Sequence, residues 1–164
     1  MEIDIKLAEI VAHTAHSAAG NLRKYTDDPY IVHPREVAEI VRAHGGSDDM
    51  IAAAFLHDVV EDTHIEIEYI EEVFGTRVAD LVAWLTDVSV PGDGNRAARK
   101  ALDCAHIADA PYKAQFVKCA DIMSNTKSIF EHDPKFAEVY IPETRAVLEA
   151  MTKIHMTEIY MKMT

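Results

Sequence analysis

The stretch IAAAFLHDVVEDT, residues 51–63, places charged side chains in an otherwise apolar segment. Its apolar residues recur at helical spacing, so it predicts a helix on which His57 lies above Glu61 and Asp58 above Asp62. Three carboxylates then crowd near the end of a helix where its dipole disfavours anions by roughly 0.3–1 kcal/mol each. A divalent cation held by His57 and Asp58 would relieve this crowding and leave Glu61 and Asp62 to handle a water molecule. Taken alone, the stretch is equally well explained by a solvated helix end with a buried core histidine.

The rest of the chain repeats the helical pattern. Apolar residues recur every three to four positions almost everywhere, and no segment alternates with the period of two that marks a strand. We therefore predict an all-α fold, one domain spanning residues 1–164 with about eight helices. The expected helices cover about 3–19, 34–44, 47–61, 65–74, 76–87, 96–108, 111–130 and 143–162, with 21–33 as a loop.

Composition and charge exclude several classes of protein. The 164 residues are 49% hydrophobic and carry 28 acidic against 16 basic side chains, a net charge of −12. Such a surface repels phosphate backbones and anionic lipids, so we expect neither nucleic acid nor a membrane as partner. No signal-like or membrane-spanning apolar run occurs, which favours a cytoplasmic protein. Cys104 and Cys119 show no pattern of a disulfide or zinc-thiolate site.

Distant segments supply further polar side chains. His33 directly precedes Pro34, which predicts that it lies outside a helix at the start of the second one. Lys118, Asp121 and Asn125 follow at spacings of three and four and share one helical face. Each feature alone is as easily a surface group or an exposed ion pair. Together, His33, His57, Asp58 and Asp121 form a nitrogen and oxygen ligand set suited to one Mn²⁺ or a similar ion.

Basic residues prevail between positions 95 and 127, although the chain as a whole is acidic. With the early loop, they are placed to bind a compact polyanion such as a phosphorylated small molecule. Some of them are equally well explained as a solvated helix face. The candidates are Arg23, Lys24, Arg96, Arg99, Lys100, Lys118 and Lys127.

Five segments in this order resemble a known family. They are RKYTDDPYIVHP (23–34), AAAFLHDVVEDT (52–63), FGTRVADLVAWLTD (74–87), NRAARK (95–100) and VKCADIMSN (117–125). This set is similar to the HD-domain hydrolases of the RelA/SpoT alarmone family, in particular the small stand-alone alarmone hydrolases. The resemblance covers about residues 20–130 and implies an HD-type helical bundle.

The resemblance also implies an activity and roles for residues. The expected enzyme is a Mn²⁺-dependent guanosine-3′,5′-bis(diphosphate) 3′-pyrophosphohydrolase, which converts ppGpp or pppGpp to GDP or GTP and pyrophosphate and so degrades the alarmone of the stringent response. The chain is too short for the synthetase domain of the long relatives. By position, His33, His57, Asp58 and Asp121 would bind the metal, and Glu61 and Asp62 would activate water. Arg23 and Lys24 would lie by the nucleotide, Asn125 would lie near the ribose and the 3′-phosphates, and Lys118 would support the pocket electrostatically. Arg96, from the charge pattern, and Lys127 complete the residues expected to bind substrate.

Two positions depart from the family pattern. Asn21 stands where the family usually has glutamine, in a stretch that usually has a histidine shortly before it; His13 and His16 receive no role from the sequence. Lys127 stands where an arginine is common. Lysine keeps the charge but loses the bidentate fork, so its phosphate contact would differ.

The sequence leaves other functions open. The same kind of site would serve a phosphatase acting on NADPH or an enzyme acting on another pyrophosphorylated nucleotide, including adenine alarmones, because no residue declares the base. A non-catalytic nucleotide-binding regulator is a further alternative, although it would not need Glu61 and Asp62. The apolar C-terminal helix could pack within the chain or against a second copy, so the oligomeric state is undetermined.

Overall fold

The computed structural model describes residues 2–163, and they form ten α-helices and no strand apart from one isolated bridge between Leu22 and Pro29. The all-α prediction is confirmed. The helices fall into two compact units, the first ending at Thr86 and the second beginning at Asp87. Two such units are compatible with one domain or two, and the prediction of a single domain stays a prediction.

The first unit is built around one buried helix. Its six helices are α1 (Ile5–Ala18), α2 (Val32–Ala43), α3 (Asp48–Leu56), α4 (Val59–Asp62), α5 (Ile67–Phe74) and α6 (Thr76–Leu85). Helix α3 packs against α1, α2 and α6, and its residues 49–56 are all buried. The run IAAAFL is apolar on every side for this reason. The polar residues that follow it therefore emerge from the core of the unit.

The helix predicted over 47–61 is interrupted at its polar end. Helix α3 ends at Leu56, His57 and Asp58 form a turn, and α4 begins at Val59. Asp58 has φ −100° and ψ −2°, in the sparsely populated region between helix and strand where active-site residues are often found. Because of the break, Glu61 and Asp62 lie in the first turn of α4 and not at the end of a long helix. The prediction of one continuous helix was wrong.

The start of the second helix also differs from the prediction. Helix α2 begins at Val32, so His33 is already helical and the predicted loop 21–33 is shorter by two residues. Pro34 is tolerated there because the first turn of a helix has no use for its missing N–H. The tight turns from Val32 N to Pro29 O and from His33 N to Tyr30 O start the helix ahead of the proline.

The second unit has four helices, α7 (Arg96–Asp109), α8 (Tyr112–His132), α9 (Pro134–Ala150) and α10 (Glu158–Met161). Helix α8 packs against α7, α9 and α10. Within the described residues, no helix is both long and apolar enough to cross a membrane.

The single helix predicted over 143–162 is wrong. Helix α9 already begins at Pro134, after Asp133, whose side chain accepts a hydrogen bond from Phe136 N at 3.0 Å. Pro142 lies inside α9 and does not start a helix. The chain leaves the helix at Met151 and forms the short α10 separately. Met151 and Ile154 are fully buried, whereas Met156 is 94% exposed.

Candidate functional site

Three predicted metal ligands of the first unit meet in space. His33 comes from the first turn of α2, and His57 and Asp58 come from the turn that ends α3. Asp58 Oδ2 lies 3.0 Å from His57 Nε2 and 3.8 Å from His33 Nε2. Each of the three residues offers one ligand atom, and these atoms lie within 4.8 Å of one another. Both imidazoles are almost fully buried, at 1% exposure for His33 and 2% for His57.

The hydrogen bond of His57 decides which of its ring nitrogens can bind a metal. Its Nδ1 lies 2.7 Å from Ala54 O, and a carbonyl can only accept, so Nδ1 carries the proton. In the neutral ring Nε2 then holds a lone pair and faces the Asp58 carboxylate. Two electron-pair donors at 3.0 Å repel each other unless a cation lies by them. A backbone carbonyl on the far nitrogen is also the usual support of a metal-binding histidine.

The donor set fits a divalent ion. Two imidazole nitrogens and a carboxylate oxygen suit the borderline and harder divalent metals, and none of the three is a thiolate. The three side chains therefore form a His/His/Asp cluster of the kind that holds a divalent metal ion.

The two acids predicted to handle water lie beside this cluster and are exposed. Glu61 and Asp62 follow in α4, and Asp62 N donates to Asp58 O at 2.9 Å, which keeps the predicted spacing of one helical turn between the two aspartates. Their exposure makes both carboxylates accessible to water and to a substrate.

The early basic pair lies on a loop next to the cluster. Arg23 N donates to Asp28 O and Asp27 N donates to Arg23 O, which closes the loop into a tight turn. The Arg23 guanidinium lies 5.8 Å from the centre of the Tyr30 ring. Lys24 is exposed, with its ammonium 5.1 Å from the ring of Tyr25. Arg23 therefore contacts the ring of Tyr30, whose hydroxyl donates to the predicted ligand Asp58.

Sequence reasoning missed three side chains that touch this cluster or its neighbours. The Tyr30 hydroxyl donates to Asp58 Oδ2 at 2.5 Å. The ring of His16 packs on that of Tyr30, with centroids 4.5 Å apart, and Asn21 bonds to His16. Tyr30 stands within the PYIVHP motif, where only the histidine was interpreted. The one usable signal was an aromatic hydroxyl three residues before a predicted ligand.

The fourth predicted ligand, Asp121, lies on α8 in the second unit. It is 5% exposed, and both of its oxygens accept hydrogen bonds. Lys118 Nζ donates to Oδ2 at 2.9 Å and Asn125 Nδ2 donates to Oδ1 at 2.8 Å. The three residues therefore share one helical face, as their spacing predicts. The role of Asp121 as a metal ligand stays a prediction, as do the substrate roles of Lys118 and Asn125.

The remaining predicted substrate residues differ in what surrounds them. Arg96 forms a bidentate pair with Glu143, at 2.8 Å for both contacts, and its guanidinium also lies 5.5 Å from the Phe136 ring. These contacts raise the pKa of Arg96 and lower that of Glu143, mainly through the hydrogen bonds between them. Lys127 is exposed on α8. The Arg96 fork already has a carboxylate partner, and its substrate role stays a prediction.

The chain is similar in sequence to a known domain family and to known proteins. The sequence profile of the HD domain matches residues 8–112. A probable guanosine-3′,5′-bis(diphosphate) 3′-pyrophosphohydrolase of Synechocystis is 49% identical over 75 residues, 46% of this chain and 10% of that protein. The guanosine-3′,5′-bis(diphosphate) 3′-pyrophosphohydrolase MESH1 of Danio rerio is 38% identical over 110 residues, 65% of this chain and 59% of that protein. The chain thus spans less than two thirds of the length of either relative.

A solved structure is similar over almost the whole chain. It belongs to a metazoan orthologue of SpoT that is described as hydrolysing ppGpp and acting in starvation responses. The two chains share 25% sequence identity with a TM-score of 0.77, over 97% of this chain and 94% of the other.

Proposed function

The chain belongs to the HD-domain family, and on that premise we propose that it is a metal-dependent hydrolase that removes the 3′-pyrophosphate of ppGpp and pppGpp. The products would be GDP or GTP and pyrophosphate. The activities of MESH1 of Danio rerio and of the metazoan SpoT orthologue support this substrate class.

One observation carries the proposal most directly. His57 donates Nδ1–H to Ala54 O, so its Nε2 lone pair is directed at the Asp58 carboxylate, next to His33. The three side chains bring two imidazole nitrogens and a carboxylate oxygen within 4.8 Å of one another. These are ligand types that a divalent cation binds.

The residues of the site divide the chemical work. His33, His57 and Asp58 would hold a divalent ion, which supplies the Lewis acidity that makes water nucleophilic at neutral pH. Glu61 and Asp62, both exposed on α4, would orient the attacking water and accept its proton. The water would attack the 3′-phosphorus, and the bond between the 3′-phosphorus and the ribose oxygen would break. The ribose oxygen would take up a proton to become the 3′-hydroxyl, and pyrophosphate carrying the water oxygen would be released.

The basic residues would bind the phosphates. Arg23 has the planar fork that suits a phosphate, and Lys24 and Lys127 add exposed positive charge. Lys118 and Asn125 orient Asp121. We retain Asp121 as the fourth metal ligand because of its position in the segment VKCADIMSN, which resembles the family motif. Mn²⁺ is the proposed metal, since the site offers nitrogen and oxygen ligands alone. A nucleotide substrate also supports a cytoplasmic location.

The proposal is tested by pyrophosphate release from ppGpp. We expect turnover by the wild-type chain with Mn²⁺, none with EDTA, and a loss of more than about 100-fold in Asp58→Asn, which keeps the shape but removes the anionic ligand. Asp80→Asn is the matched control, an exposed aspartate on α6 of the same unit, and should leave turnover unchanged. A wild-type chain that binds Mn²⁺ and ppGpp but releases no pyrophosphate would instead identify a nucleotide-binding regulator.

Parallel assays separate the remaining substrates. The base and the position of the phosphate decide between ppGpp, ppApp and NADPH, and the proposed chemistry is common to all three. We expect kcat/KM to be highest for ppGpp. Faster release of phosphate from NADPH would retain the metal site and reject the alarmone assignment.

A further inference from the structure

Tyr30 contacts the metal-ligand cluster at Asp58 Oδ2, the oxygen that also lies near both imidazoles. Its hydroxyl donates to Asp58 Oδ2 at 2.5 Å, the same oxygen that faces His57 Nε2 at 3.0 Å and His33 Nε2 at 3.8 Å. A hydrogen bond to an ionised oxygen is about twice as strong as one between neutral groups. The hydroxyl therefore restrains the rotation of this carboxylate.

The ring of Tyr30 is itself held in place from several sides. The His16 ring lies against it at a centroid distance of 4.5 Å, and the His33 ring meets it edge-on at 6.0 Å. The Arg23 guanidinium lies 5.8 Å from its centre. The hydroxyl thus projects from an aromatic ring with little freedom to move.

Asn21 in turn fixes His16. Its Nδ2 donates to the main-chain oxygen of Asp62 at 2.9 Å and lies 3.0 Å from His16 Nδ1. Because a carbonyl can only accept, the amide must present its NH₂ group here, and His16 Nδ1 must accept the second proton. One short amide therefore connects α1 to the end of α4 and sets the orientation of the imidazole that supports Tyr30.

We propose that Tyr30 is a positioning residue for the metal ligand Asp58, with Asn21 and His16 as its supports. The inference rests on the proposed metal site but concerns a residue outside the ligand set. Tyr30 would keep the Asp58 carboxylate directed at the two imidazoles before the ion binds. Metal binding then would not have to supply the free energy needed to order this carboxylate. Partners of this kind typically change metal affinity 10- to 100-fold when they are removed.

The test is Mn²⁺ binding to metal-free protein, measured by calorimetry for wild type and Tyr30→Phe. The variant loses one hydroxyl and keeps its ring contacts, and we expect its Kd to rise about 10-fold or more. The paramagnetic resonance spectrum of bound Mn²⁺ should also change, because the ligand field is less ordered. Tyr69→Phe, a half-exposed tyrosine on α5 of the same unit, should match wild type in both measurements.

Three outcomes are distinguishable. Thermal unfolding in EDTA shows whether Tyr30→Phe is folded. Asn21→Ala is a second variant, and we expect it to raise the Kd for Mn²⁺ by a smaller factor than Tyr30→Phe does. If wild type and Tyr30→Phe bind Mn²⁺ with equal Kd and identical spectra, the positioning role is wrong while the metal site stands. If wild type binds no divalent ion, the metal site fails and this proposal fails with it.

Discussion

At the scale of single residues, the burial of His16 has a measurable consequence. The side chain is 1% exposed, and burial lowers its pKa from 6.5 to about 4, against the opposing effect of the Asp58 charge. Protonation of Nδ1 would also replace the hydrogen bond that this atom accepts from Asn21 by a contact between two donors. His16 is therefore neutral in the folded chain at physiological pH.

This depressed pKa predicts how stability depends on pH. Between about pH 6.5 and 4 the unfolded chain binds a proton at His16 that the folded chain does not, so the free energy of unfolding falls as the pH is lowered through that range. The loss attributable to His16 is about 3 kcal/mol at most. Urea unfolding of metal-free protein, wild type against His16→Gln, measures it: the variant should show a shallower pH dependence. Identical curves would contradict a neutral buried His16.

Functional residues could be predicted from the sequence where charged side chains interrupt an apolar segment. His57 and Asp58 were found because they interrupt an apolar run, and the structure brings them together with His33. Tyr30 could not be found in this way, since a tyrosine in a loop creates no conflict and its value depends on a tertiary hydrogen bond. Arg96 was predicted to bind substrate because it is a basic residue in a basic segment. The sequence does not show that α7 packs against α9, where Glu143 forms an ion pair with Arg96.

At the scale of helices, Gln115 joins three segments of the second unit. It is fully buried, its Nε2 donates to Ile107 O at 3.1 Å and Ala108 O at 3.0 Å, and its Oε1 accepts from Lys153 N at 3.0 Å. The carbonyls belong to the last turn of α7, where a helix has no internal partners for them. The side chain thus closes the end of α7 and connects it to the segment after α9.

Removal of this amide should destabilise the chain without touching the proposed chemistry. Gln115→Ala leaves buried carbonyls and an N–H without partners, which costs about 1–3 kcal/mol for each group that water cannot reach. We expect the free energy of unfolding to fall by about 2 kcal/mol or more in urea titrations. Glu131→Ala, at an exposed position on the same helix, should change it by less than about 0.5 kcal/mol. A Gln115→Ala chain as stable as this control would contradict the assigned role.

The helix boundaries show what local signals can and cannot predict. Asn95 caps α7 as its position suggests, accepting from Ala98 N at 3.0 Å, and Gly75 separates α5 from α6. The break at His57 and Asp58 has no glycine or proline to announce it, because it arises where the chain leaves a buried helix to present its ligands. Pro142 lies inside α9, and the local signal for the start of this helix is Asp133 followed by Pro134.

At the scale of the whole molecule, the all-α fold followed from hydrophobic spacing, and the motif order identified the family that the HD-domain match shows. The metal-ligand cluster belongs to the first unit, and Asp121 with Lys118 and Asn125 belongs to the second. Hydrophobic periodicity predicts that the residues of both sets lie on or near helices. It does not predict the distances between their metal-binding atoms. We therefore expect the first unit to bind one divalent ion through His33, His57 and Asp58.

The most direct test is a crystal of the chain grown with Mn²⁺, measured for anomalous scattering at the manganese edge. We expect one strong peak within about 2.3 Å of His33 Nε2, His57 Nε2 and an Asp58 carboxylate oxygen. The same map shows whether Asp121 supplies a further ligand. A chain that is folded and saturated with Mn²⁺ but has no peak at these three side chains, or has its peak elsewhere, would contradict the claim.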